Sequence, residues 1–217
     1  MSLTKLQLAL DAAELDEALF VLDDVQDLID ICEVGTPFLL RYGVEAVRRI
    51  RRRFPRMTLL CDSKIMDAGA FEASAMFDAG ADWVTVMAFT DEATIGECVS
   101  AAHAGNGRVM ADLLCIRDIP SKCAQLERLN VDCIAVHTGV DMQKLGCTPL
   151  GDLKVLCGCA EKAMTAVAGG ISPETVDGYL ALRPDILIVG SGILNQRDKR
   201  AAAEAIRSKI LHVSGGK

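Results

Sequence analysis

The chain has 217 residues, 51% of them hydrophobic, and a formal net charge of −7 at neutral pH. That length and apolar content fit one folded domain with a substantial core and exclude a disordered chain. The acidic balance argues against nucleic acid or an anionic membrane as the main partner, and no apolar run approaches the roughly 18 residues of a bilayer-spanning helix.

Eight short aliphatic or β-branched runs recur along the chain, at 6–10, 29–34, 57–61, 83–87, 109–114, 133–136, 164–168 and 186–189. Between them lie stretches such as 70–79, whose apolar residues fall at helical spacing. No Pro/Ser-rich linker interrupts this alternation, so 1–217 reads as a single domain. Eight strand–helix units of about 27 residues fit an α/β fold of the (β/α)8 TIM-barrel type. A doubly wound open sheet, built from the same alternation, is the rival. Nothing at the N-terminus combines a basic segment with an apolar one, so no export signal is expected. Nine cysteines without a framework of spacings point to reduced thiols and a cytoplasmic location. Cys157-Gly158-Cys159 lacks the second pair or nearby histidine that a metal site needs.

The residues at the carboxyl end of each run favour the barrel. The first run ends in Asp11, the second in Glu33, and the third in Asp62-Ser63-Lys64-Ile65-Met66-Asp67. The fifth carries Asp112 and the sixth ends in His137. The last two lead into Gly169-Gly170 and Gly190-Ser191-Gly192. A barrel gathers these carboxyl ends at one mouth, where active sites of the fold lie; an open sheet spreads them along an edge.

The residue types suggest roles. Glu33 and Asp62 are hard oxygen ligands on neighbouring strands and suit Mg²⁺, which keeps several waters. The plainer role for Glu33, a helix cap, is better filled by Thr36 before Pro37. In an extended strand Asp62 and Lys64 share a face. Lys64, between Asp62 and Asp67, is expected to stay protonated and to stabilise an oxyanion rather than form a Schiff base. A structural ion pair is the plain alternative. His137 suits proton transfer, with Asp112 orienting it or sharing the proton work, while His103 and His212 read as surface residues. The two glycine turns are expected to cradle phosphate. In the first of them, Ser172 reads as the N-cap of a helix opening at Pro173.

These motifs resemble the orotidine 5′-monophosphate decarboxylase suprafamily, whose hallmark is Asp-x-Lys-x-x-Asp after the third strand. The similarity spans 8–11, 33–37, 62–69, 78–82, 137–139 and 168–171. Within the suprafamily the chain is most similar to the 3-hexulose-6-phosphate synthases, then to the 3-keto-L-gulonate-6-phosphate decarboxylases. Asp112 stands where the decarboxylases usually carry glutamate, 137–143 matches the synthases' His-Thr-Gly-x-Asp-x-Gln, and Gly190 is not followed by the decarboxylases' arginine. The resemblance implies a Mg²⁺-dependent lyase that joins formaldehyde to ribulose 5-phosphate through an enediolate. It implies Lys64, Asp67, Asp112 and His137 as catalytic groups and Glu33 and Asp62 at the metal. Asp11, Asp62, Gly169, Gly170, Gly190, Ser191 and Gly192 are the expected substrate contacts. It also implies a homodimer in which Asp67 reaches the partner's site. A barrel that binds sugar phosphates without chemistry is the alternative of another class; it has no need of the charged set.

Overall fold

The computed structural model describes residues 3–11 and 14–215. Its strands are β1 (Lys5–Leu10), β2 (Ile31–Val34), β3 (Thr58–Ile65), β4 (Trp83–Met87), β5 (Arg108–Asp112), β6 (Cys133–His137), β7 (Met164–Ala168) and β8 (Ile186–Val189). They pair in chain order, all parallel, and β1 closes on β8. The open-sheet alternative is thereby excluded. The helices are α1 (Leu15–Val25), α2 (Thr36–Tyr42), α3 (Val44–Arg53), α4 (Gly69–Asp78), α5 (Glu92–Ala104), α6 (Ile119–Arg128), α7 (Val140–Lys144), α8 (Leu150–Cys159), α9 (Val176–Leu180), α10 (Ser191–Leu194) and α11 (Lys199–Gly215).

Alternation along the strands makes two cores. Leu6, Leu8 and Leu10 face outward and pack with helix residues such as Leu22, Val25 and Ile206. Inward residues, among them Ile31, Leu60, Trp83, Met110, Cys133, Ala166 and Ile186, fill the barrel beneath the mouth. Gln7 is also fully buried on the inward face of β1, and its side chain reaches toward the mouth.

The opposite rim repeats one device. Asp30, Asp82, Asp132 and Asp185 each stand just before an even-numbered strand. They accept the backbone N–H of Leu6, Leu59, Val109 and Thr165 respectively, at 2.8–2.9 Å, on the odd-numbered strand before it. Three of them also hold an outer helix: Asp30 pairs with Arg207, Asp82 with Arg51 and Asp132 with His103. His103 and His212 are exposed, as the sequence suggested.

Strand ends differ from expectation for local reasons. β2 opens at Ile31 rather than residue 29, because Asp30 turns to serve Leu6. β5 stops at Asp112 rather than 114, because Asp112 Oδ1 accepts the N–H of Leu114 at 2.8 Å and turns the chain. Ser172 does not cap a helix at Pro173. Its carbonyl accepts the N–H groups of Thr175 and Val176, and α9 begins only at Val176.

Candidate active site

β3 runs past Cys61 to Ile65, and between those two residues it carries a bulge against β4. Lys64 occupies the bulge with φ +46°, in the left-handed region, rather than in the regular extended backbone expected of it. Asp62 and Lys64 nonetheless meet: Lys64 Nζ lies 3.2 Å from Asp62 Oδ2. It lies closer still, at 2.7 Å, to Asp112 Oδ2. Burial works against the ammonium, but the Asp62 and Asp112 carboxylates outweigh it and raise the Lys64 pKa. Asp67 is not its partner. Asp67 is exposed, and its Oδ1 accepts the N–H of Ala68 at 2.7 Å.

Asp112 is almost fully buried at the end of β5, and its Oδ2 also lies 2.9 Å from His137 Nδ1. Desolvation pushes the Asp112 carboxyl up, yet the bonds to His137 and Lys64 prevail and hold it down to about 2. An ionised carboxylate only accepts hydrogen bonds, so His137 Nδ1 carries a proton directed at Asp112 Oδ2. The bond to Asp112 therefore fixes the orientation of the imidazole ring.

The first three strands contribute acids. Thr36 Oγ1 donates to Asp62 Oδ2 at 2.6 Å, and Thr85 Oγ1 donates to Asp62 Oδ1 at 2.8 Å. Thr36 is thus not a helix cap; Gly35 occupies that position and Thr36 turns to the site. Gln7 Nε2 donates to Glu33 Oε2 at 2.6 Å, while Gln7 Oε1 is buried and has no partner among the described residues. Desolvation, then the neighbouring Asp62 charge, raises the Glu33 carboxyl well above its ordinary value. Solvent reaches Asp11 through the mouth, but the protein around it still raises its carboxyl by desolvation, with Asp62 adding to the shift. A side chain at Gly35 would run into Asp11, its Cβ only 1.9 Å from Oδ1, so a glycine there makes room for the acid.

These groups line one cavity of about 440 Å³ at the carboxyl ends of the strands. It brings together Asp11, Glu33, Asp62, Lys64, Asp112, His137, Gly169, Gly170, Gly190 and Ser191. Gly169 and Gly170 adopt φ +120° and +67°, and a Cβ at Gly169 would meet the Thr138 carbonyl at 2.6 Å. Two expected residues lie outside the lining. Asp67 is one; Gly192 is the other, packed so closely on Ile171 that a Cβ would sit 2.0 Å from its carbonyl oxygen. Gln7, Thr85 and Asn195 join the site without having been singled out from the sequence. Thr36, read there as a cap, and Gln143, the last residue of the 137–143 motif, join it without having been assigned to the site.

Three mutually repelling carboxylates, Asp11, Glu33 and Asp62, face one ammonium that also serves Asp112. This excess of hard negative oxygen suits a divalent cation. Among the described residues no three His, Cys, Asp or Glu side chains come together as a closed metal-binding group.

Comparison with known proteins places this geometry. The model of the orotidine 5′-phosphate decarboxylase / HUMPS family matches residues 4–206. The chain belongs to that family. Among relatives in it, a Bacillus subtilis 3-hexulose-6-phosphate synthase is 38% identical over 207 residues, covering 95% of this chain and 99% of the relative. The crystal structure of a Salmonella typhimurium 3-hexulose-6-phosphate synthase is 46% identical, with a TM-score of 0.95 over 97% of this chain and 100% of that one. The crystal structure of a Streptococcus mutans KGPDC is more distant, 27% identical with a TM-score of 0.91 over 99% and 100% of the two chains. The expected fold and family are both borne out.

Proposed function

We propose that this chain is a 3-hexulose-6-phosphate synthase, an aldehyde-lyase that condenses formaldehyde with D-ribulose 5-phosphate. The observation that carries the reading is the shared Asp112 Oδ2. It fixes a proton-bearing His137 Nδ1 and a protonated Lys64 side by side, a base next to a cation. The full-length similarity to proteins named for this activity supports it. His137 Nε2 takes a proton from C1 of the ketose. Lys64 Nζ stabilises the oxyanion of the enediolate as charge develops on it, C1 then attacks the formaldehyde carbon, and the alkoxide left on the formaldehyde oxygen takes back the proton from His137 Nε2. The turns at Gly169-Gly170 and Gly190-Ser191 receive the phosphate. Glu33 and Asp62 are the residues that would hold Mg²⁺, which when bound supplies electrophilic stabilisation to substrate oxygens. Asp112 keeps the imidazole in one tautomer throughout.

The chemistry is tested by mixing the protein and Mg²⁺ with ribulose 5-phosphate and formaldehyde, and separately with 3-keto-L-gulonate 6-phosphate. Condensation in the first mixture is expected. Turnover confined to the second would replace the synthase reading with the decarboxylase one.

The protein is further proposed to act as a homodimer in which Asp67 enters the partner's mouth. Asp67 faces solvent beside exposed Met66 and Phe71, with exposed Phe89 on the neighbouring loop, which Thr90 ties to Met66 through a 2.6 Å bond. Such an apolar surface suits an interface. A monomer by light scattering at assay concentration would refute this arrangement. A cytoplasmic setting suits the nine free thiols. No helix among the described residues is long and apolar enough to cross a membrane.

A further inference from the structure

Thr85, buried at the centre of β4, makes contacts that strand structure does not require. Its Oγ1 accepts the backbone N–H of Lys64 at 2.9 Å and donates to Asp62 Oδ1 at 2.8 Å. The polarity is forced: a backbone N–H can only donate, so the single hydroxyl proton goes to the carboxylate. Its carbonyl also accepts from Ser63 Oγ at 3.1 Å. One β4 residue thus holds three consecutive residues of β3.

The bulge explains why one residue suffices. β3 advances four positions, from Cys61 to Ile65, while β4 advances two, from Val84 to Val86. Thr85 is the single residue opposite the extra length. Within that length Lys64 adopts φ +46°, a conformation that a long side chain takes only where its surroundings impose it. The Lys64 N–H finds its acceptor in the Thr85 hydroxyl. Packing on this inward face needs no hydroxyl, for Trp83, two positions earlier on the same face, is apolar.

We propose that Thr85 is a positioning residue for the reaction. It holds the left-handed turn that aims Lys64 Nζ between Asp62 and Asp112, and it fixes Asp62 by Oδ1 so that Oδ2 faces Lys64. The role rests on the aldolase reading of the site. It assigns to a hydroxyl outside the proton-transfer set the alignment of an acid and a cation from a neighbouring strand.

The test compares Thr85→Val, Thr85→Ala and Thr85→Ser with the wild type. Steady-state kinetics with ribulose 5-phosphate, formaldehyde and Mg²⁺ are measured alongside calorimetric binding of ribulose 5-phosphate and the unfolding temperature. Losing a hydrogen bond to a charged partner predicts kcat about 10- to 100-fold lower in Thr85→Val, with KM and ligand affinity within about twofold. Thr85→Ala, which leaves space rather than a buried methyl against a polar group, shows the same split should the valine variant not fold. Thr85→Ser recovers most of kcat, because it keeps the hydroxyl. Wild-type kcat in Thr85→Val or Thr85→Ala overturns the positioning role alone, and so does a Thr85→Ser as impaired as those variants. A wild type that turns over neither sugar phosphate overturns the aldolase reading and this role with it.

Discussion

Carboxylates ring both ends of the barrel. At the amino-terminal rim Asp30, Asp82, Asp132 and Asp185 each bind a strand N–H, and three of them also bind a cation or imidazole from an outer helix. At the carboxyl-terminal rim Asp11, Glu33, Asp62 and Asp112 crowd one another instead. Glu33, Asp62 and Asp112 bond to side chains of other site residues, Asp112 also to the backbone N–H of Leu114, and two of the four acids, Asp11 and Glu33, are pushed toward the neutral form. The first ring satisfies backbone groups that a closed sheet leaves over at its edge. The second leaves charge unbalanced, which costs stability.

Substitutions at the two rims should therefore separate activity from stability. The largest effects fall at the mouth. His137→Gln should lower kcat about 10²- to 10⁴-fold and Lys64→Ala about 10²- to 10³-fold, both with circular dichroism unchanged. If either variant kept wild-type turnover, the mouth would be no more than a second structural ring. At the other rim Asp30→Ala removes the acceptor of Leu6 N–H and the partner of Arg207. It should destabilise the fold by about 1–3 kcal/mol, lowering the unfolding temperature by roughly 2–12 °C, and leave kcat within about twofold.

The smallest effect has the most diagnostic sign. Glu33 is buried and its carboxyl is raised, so the folded state holds this proton more tightly than the unfolded chain does. Stability from this group is full below the ordinary glutamate value and declines as pH rises from there through the folded value. Metal-free Glu33→Gln should consequently unfold at a slightly higher temperature than metal-free wild type at neutral pH, and lose turnover. A lower unfolding temperature at pH 7, with the difference vanishing at pH 4, would place Glu33 among the structural acids.

The fold was legible where burial leaves a strand no choice. The runs at 83–87, 164–168 and 186–189 keep their boundaries in the structure, because aliphatic residues face both the barrel interior and the helices. Boundaries failed where an aspartate turns the chain, at Asp30 and Asp112, since a side-chain bond to a backbone N–H has no hydropathy signature. The charged part of the site was legible for a related reason: Glu33, Asp62, Lys64, Asp112 and His137 are conspicuous at the ends of apolar runs. The groups that align them were not. Thr85 within Trp83-Val84-Thr85-Val86-Met87 reads as ordinary β-former chemistry, and Gln7 within Leu6-Gln7-Leu8 as simple alternation. Only the closed barrel shows that each points at an acid on a neighbouring strand. The left-handed Lys64 was equally hidden, because a two-residue bulge leaves the sequence pattern of an extended strand intact.

The account turns on proton removal at one carbon by an imidazole held beside a cation. The direct measurement is deuterium incorporation at C1 of ribulose 5-phosphate in D₂O with Mg²⁺ and no formaldehyde, followed by NMR. Exchange of a single C1 hydrogen by the wild type, abolished in His137→Gln and strongly reduced in Lys64→Ala, is the expected result. Condensation with formaldehyde proceeding at full rate in His137→Gln, or exchange undiminished in that variant, would contradict it.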